Sequence, residues 1–256
     1  MIRPGLCSVT FRDLDAGSVV HHAAAAGLEC IEWAGDAHVP PGDVAAAEHA
    51  RALTEQSGLA VASYGSYLRF LGTDEEVRAE GEAVLAAARA LGAPRIRVWA
   101  SRTGSATATT EERATTVRRI QEFADLAAAD GIDLGLEFHA HTLTDEIDST
   151  LRLLEEVDRP RVLSYWQPHQ GMPADQALET LQRVLPATST IHVFSWWPRH
   201  ERLALAERSA LWKRVFALLA AEGSDRDALL EFVPDDDPSL LPRESDTLRS
   251  LITAGG

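Results

Sequence analysis

Asp133-Leu134-Gly135-Leu136-Glu137-Phe138-His139-Ala140-His141 reads as a strand with an ionisable group on its inner face. Side chains alternate along a strand, so Leu134, Leu136 and Phe138 share one face and Gly135, Glu137 and His139 the other. The apolar set suits packing against helices. An inward glutamate is unfavourable in a dry interior unless a cation or a metal compensates it. Apolar outside and chemically armed inside is the pattern expected of a barrel strand near its C-terminal end.

Seven further apolar runs repeat the theme: Gly5–Thr10, Glu29–Trp33, Ala60–Ser63, Arg95–Ala100, Val162–Gln167, Thr190–Ser195 and Ala228–Phe232. Their starts are spaced by roughly 25 to 40 residues, the size of one βα unit. Between them lie Ala/Leu/Glu/Arg-rich stretches with helical periodicity, as in Val117, Ile120, Phe123 and Leu126. Gly27, Gly58, Gly92 and Gly131 each fall between a helix and the next strand, where a helix C-cap belongs. Eight such units predict a single-domain α/β fold, a (β/α)8 TIM barrel over residues 1–256, with an open doubly wound sheet as the alternative.

A net charge of -15, from 39 acidic and 24 basic residues, excludes the basic footprint of a nucleic-acid binder. Cys7 and Cys30 are too few for a disulfide scaffold. No signal-like leader and no apolar stretch of membrane-spanning length is found, so a cytoplasmic protein with no membrane partner is expected. Barrel helices leave a homodimer open. GxGxxG, GxxxxGK[ST], GxSxG and HExxH are all absent. His139 and His141 form an HxH pair, but on the fifth strand; the first strand has none, which speaks against an amidohydrolase-type site.

The strand ends carry the remaining chemistry. Glu231 closes the apolar run Ala228-Leu229-Leu230 before an acidic loop. His192 lies within Thr190-Ile191-His192-Val193-Phe194, where a lone histidine is ordinarily a core residue; the two glutamates make it a candidate ligand. Gln167 and His169 share parity at the end of the sixth strand. Glu32, Trp33 and His38 follow the second, a position equally suited to a solvated loop. Trp33, Trp99, Trp166 and Trp196 are candidate pocket walls, and Arg102 a candidate phosphate clamp.

Together, Ile31-Glu32-Trp33…Asp36…His38, Leu136-Glu137-Phe138-His139, Trp166-Gln167-Pro168, His192-Val193-Phe194 and Leu230-Glu231-Phe232 make the chain resemble the xylose isomerase-like barrels, often named sugar phosphate isomerases/epimerases. The resemblance implies one divalent metal, Mn²⁺ or Mg²⁺ before Co²⁺, Fe²⁺ or Zn²⁺, held by Glu137, a sixth-strand residue, His192 and Glu231. The family commonly has Asp-x-x-His on that strand; here Trp166-Gln167-Pro168-His169 stands instead, and Gln167 is the candidate fourth ligand.

The resemblance further implies isomerisation or epimerisation of a sugar, ketose or related polyol through an enediolate. Glu137 and Glu231 would be the catalytic pair. Trp33, His38, Arg102, His139, His169 and Trp196 would contact substrate. A lyase or dehydratase on the same enolate chemistry and a non-catalytic metabolite binder are the alternatives. An apurinic-site endonuclease, which resembles the same fold, conflicts with the charge and the sparse ligand set.

Overall fold

A computed structural model describes residues 1–255. Eight parallel strands close in sequence order, β1 pairing β8. They are β1 (Ile2–Cys7), β2 (Cys30–Ala34), β3 (Ala60–Gly65), β4 (Arg95–Val98), β5 (Asp133–Glu137), β6 (Val162–Trp166), β7 (Thr188–Val193) and β8 (Arg226–Leu230). The helices are α1 (Ala16–Ala25), α2 (Val44–Gln56), α3 (Asp74–Leu91), α4 (Thr110–Ala129), α5 (Ile147–Val157), α6 (Ala174–Val184), α7 (Ser209–Glu222) and α8 (Leu241–Gly255). The protein is thus a single (β/α)8 barrel. The main departure from the expected boundaries is the first strand: it begins at Ile2 and stops at Cys7, because Ser8–Phe11 turn into a 3-10 helix.

Local chemistry sets the element ends. α3 and α4 open with capping boxes, Thr73 with Glu76 and Thr109 with Glu112, which satisfy first-turn amides. The four inter-unit glycines sit at φ between 70 and 74, where a Cβ would be strained. Outward-facing apolar residues of the strands, Leu134, Leu136, Phe138, Ile191 and Val193 among them, join one continuous core with the helices. The barrel interior is mixed. Cys7, Cys30, Ala34 and Leu229 form a small apolar layer, while Arg97, Glu32, Glu137 and His192 are buried with it. Gly135 is bare because the Tyr165 ring fills its place: a Cβ there would lie 2.2 Å from it.

Candidate active site

The C-terminal ends of the strands open into a pocket of about 500 Å³. Glu137 from β5, Gln167 just after β6, and Glu231 just after β8 reach its floor, with Trp99, His139, His169, Phe194, Trp196 and Phe232 on its walls. His192 of β7 lies directly below, 1% exposed.

The floor converges on one nitrogen. His192 Nδ1 is 3.2 Å from Gln167 Oε1, 3.6 Å from Glu137 Oε1 and 3.6 Å from Glu231 Oε2. Neighbouring ligands on bonds near 2.1 Å stand about 3 to 3.5 Å apart; the three oxygens approach the nitrogen at close to that spacing, and ligand atoms of Glu137, His192 and Glu231 all lie within 4.8 Å of one another. Three oxygens and one imidazole suit Mg²⁺ or Mn²⁺. The residues present therefore fit a divalent ion.

Charge points the same way. Arg97, an arginine inside the apolar run Ile96-Arg97-Val98, is fully enclosed; its Nη1 donates to Glu137 Oε2 at 2.6 Å and its Nε lies 3.4 Å from Glu32 Oε1. Glu32 also accepts from Ser63 Oγ at 2.6 Å. One guanidinium thus faces the three carboxylates of Glu32, Glu137 and Glu231. Burial opposes charging of His192, yet Cys7, Glu231 and Glu32 push its pKa well above the ordinary value. A cation and that proton compete for the same nitrogen.

The two pocket glutamates are not equivalent. Glu137 has both oxygens engaged, Oε2 by Arg97 and Oε1 by Gln167 Nε2 at 3.0 Å. Burial raises its pKa, but Arg97 and His192 outweigh burial and hold it well below the carboxylate range. The Glu231 carboxylate accepts no hydrogen bond from any of the described residues. Burial first, then the charge of Glu137, pushes its pKa up to about 7.

Each wall histidine is anchored through one ring nitrogen to a backbone carbonyl. His139 Nδ1 contacts Ala140 O at 2.8 Å, and its ring stacks on Trp99 at 4.1 Å. His169 Nε2 contacts Asp145 O at 2.7 Å, and its ring stacks on Phe138. A backbone carbonyl can only accept, so each ring donates through that nitrogen, and in the neutral ring the other nitrogen is a lone pair. Burial lowers the His169 pKa and favours that neutral form. Phe232, beside Glu231, and His141 hold positive φ at the mouth (62 each), backbone strain of the kind that gathers at functional sites.

Four expected pocket residues lie elsewhere. Trp33 points outward into the helix layer, fully buried, its Nε1 donating to Thr54 Oγ1 at 3.1 Å; one-residue parity with Glu32 puts it on the other face. Trp166 makes the matching bond to Thr180. His38 has both nitrogens occupied, by Ser8 Oγ and Leu14 O, each at 3.0 Å, and does not reach the pocket. Arg102 is exposed and is not among the pocket-lining residues. Sequence reasoning missed Arg97, whose only signal was a charge within an apolar strand, and the loop residues Arg12, Tyr67, Gln170 and His200 at the mouth. It undervalued Glu32.

Barrel, strand-end carboxylates and buried imidazole define the class. The model of the xylose isomerase-like TIM barrel family matches residues 20–251, and the chain belongs to that family. A 3-dehydroshikimate dehydratase from Bacillus anthracis is 43% identical over 68 residues, 27% of this chain and 24% of that protein, so the match spans about a quarter of the relative.

Solved structures agree along nearly the whole chain. The probable 3-DHS dehydratase involved in petrobactin synthesis from Bacillus anthracis superposes with TM-score 0.76 at 22% identity, covering 97% of this chain and 99% of that one. A xylose isomerase-like TIM barrel protein from Mycobacterium smegmatis in complex with magnesium gives 0.76 at 17%, covering 99% and 98%. A D-psicose 3-epimerase from Clostridium cellulolyticum, solved with D-tagatose, gives 0.75 at 15%, covering 98% and 99%. At these identities the likeness concerns the fold.

Proposed function

We propose that the protein is a divalent-metal-dependent enzyme that moves one proton beside a carbonyl of a hydroxylated small molecule, with dehydration as the outcome. The observation that carries this reading is the unequal pair of glutamates. Epimerisation removes a proton from one face of a carbon and returns one to the other, so it calls for two carriers. Glu137, clamped by Arg97 and Gln167, is a poor second carrier. Glu231, which accepts no hydrogen bond from any of the described residues and whose burial pushes its pKa up to about 7 before any metal binds, is a good only one.

Glu137, Gln167, His192 and Glu231 would hold the metal, with Mg²⁺ or Mn²⁺ favoured. When bound, the ion would polarise the carbonyl and stabilise negative charge on its oxygen. Glu231 takes the proton from the carbon next to the carbonyl. The bond to a hydroxyl on the following carbon then breaks, and that hydroxyl leaves as water with the proton Glu231 carries. The lone pairs of His139 and His169 accept from substrate hydroxyls, and Trp99, Phe194, Trp196 and Phe232 exclude solvent. The local match to a 3-dehydroshikimate dehydratase supports elimination. Aldose–ketose isomerisation is the second reading: one carrier working on one face suffices for it too.

Turnover of hydroxylated keto acids and sugars by the magnesium-loaded protein, followed by mass spectrometry in D2O, separates these outcomes. Loss of one water supports dehydration. Conserved mass with deuterium at the reacting carbon supports isomerisation. Glu231→Gln is expected to reduce turnover by about 10²- to 10⁴-fold. Full activity in that variant sinks the single-carrier mechanism.

A further inference from the structure

The two ring nitrogens of His192 have different neighbours. Nδ1 faces Gln167, Glu137 and Glu231. Nε2 faces Glu32 Oε1 at 3.6 Å. Nε2 is buried, and no hydrogen bond reaches it. A ring nitrogen left without a partner in a dry interior is unfavourable. A movement of about half an ångström toward Glu32 completes the bond.

Glu32 has no duty in the pocket. It is 2% exposed and does not line the cavity, so it touches no substrate. Its place is nevertheless built. Ser63 Oγ donates to Oε2 at 2.6 Å, and Arg97 Nε lies 3.4 Å from Oε1. β3 passes this pair with Gly65, where a Cβ would come within 2.8 Å of both Glu32 Oε1 and Arg97 Nη2. The Tyr165 ring meets the imidazole edge-on, centroids 5.6 Å apart, and fixes its plane. An ion pair with Arg97 accounts for the charge of Glu32. It does not account for the same oxygen facing Nε2.

The acceptors decide where the ring carries its proton. A neutral imidazole has one N–H, and a carboxylate can only accept. A proton on Nδ1 would block a metal there. A proton on Nε2 points at Glu32 and leaves the Nδ1 lone pair free.

We propose that Glu32 is a positioning residue for the metal site: it accepts the Nε2–H of His192 and so keeps the Nδ1 lone pair turned toward Glu137, Gln167 and Glu231. The proposal rests on the metal site proposed above and adds a residue that touches neither ion nor substrate. Such an outer partner fixes the tautomer and raises the basicity of the ligand nitrogen. Cys7 also has its sulfur within 4.8 Å of the Glu32 and His192 atoms, but a thiol is a weak acceptor.

Calorimetric titration with Mn²⁺, and proton NMR of the magnesium-loaded, 15N-histidine-labelled protein, test this without turnover. Wild type is expected to show a His192 Nε2–H resonance downfield of the backbone amides and slow to exchange. Glu32→Gln removes the charge; Glu32→Asp keeps the charge and shortens the reach. Each should weaken Mn²⁺ binding by about 10- to 100-fold and lose the downfield proton. Cys7→Ala should keep both. Weak binding in Glu32→Gln with full affinity in Glu32→Asp reduces Glu32 to a nearby charge and overturns the proposal. Unchanged affinity in both variants, or a downfield proton that vanishes in Cys7→Ala, overturns it too. If wild type binds no Mn²⁺, the metal site itself fails and this proposal with it. Tight wild-type binding with indifferent Glu32 variants removes only the role of Glu32.

Discussion

At the N-terminal end of the barrel, Asp227 accepts from Arg3 Nε at 2.8 Å and from Arg95 Nη1 at 2.7 Å. At the C-terminal end, Arg97 faces Glu32 and Glu137, with Glu231 close by. Both clusters sit inside the same closed sheet and are built from the same residue types. The lower one sets two cations against one anion, each cation hydrogen-bonded to it, and Arg3 is one-third exposed to water. The upper one sets one guanidinium against three carboxylates in near-complete burial. A closed cluster stabilises the barrel. The other lies at the end of the barrel where the pocket opens, the end at which such barrels keep their reactive groups.

Magnesium at a hundredfold excess over its dissociation constant should stabilise the protein by about 3 kcal/mol, read by denaturant unfolding with and without chelator. Absence of any shift would mean that protons on His192 and Glu231 alone balance the cluster.

Acidity gives a second test. In metal-free protein Glu231 keeps its proton to about pH 7, whereas in the unfolded chain it loses it near 4.3. Between those values the native state binds more protons, so stability falls as pH rises, by about 4 kcal/mol across the window. The decline should be absent in Glu231→Gln, and unfolding curves at successive pH values check it.

The lower end should respond through stability alone. Asp227→Asn strips the charge that Arg3 and Arg95 share and should lower stability by about 2 kcal/mol, with magnesium affinity and turnover per folded molecule unchanged in calorimetry and initial-rate assays. The smallest effect belongs outside the barrel. Trp33→Phe removes the bond to Thr54 and should cost about 1 kcal/mol, with no change in kcat/KM, because Trp33 faces the helices.

Much of this was legible in the chain itself. Alternation in Asp133–His139 placed Glu137 inside, since the period of a strand leaves no other choice. Repeated units ending in glycine gave the barrel, because a left-handed backbone position selects that residue. The ends of strands five to eight offered Glu137, Gln167, His192 and Glu231, and the structure brings the first, second and fourth to the pocket floor around the buried His192. Parity also held the correction for Trp33: if Glu32 faces in, its neighbour faces out.

Tertiary structure alone decided the rest. Arg97, Glu32 and Glu137 lie on three different strands, and no local pattern reveals that one guanidinium will clamp one glutamate and leave another free. The same holds for His38, whose nitrogens are taken by Ser8 and Leu14, and for Arg69 over Trp99, which joins two loops distant from each other in the chain. Sequence determines which faces of each element are apolar and which atoms can ionise. Pairing among those atoms depends on through-space distance and on the water removed around them, and both are set only when the barrel closes.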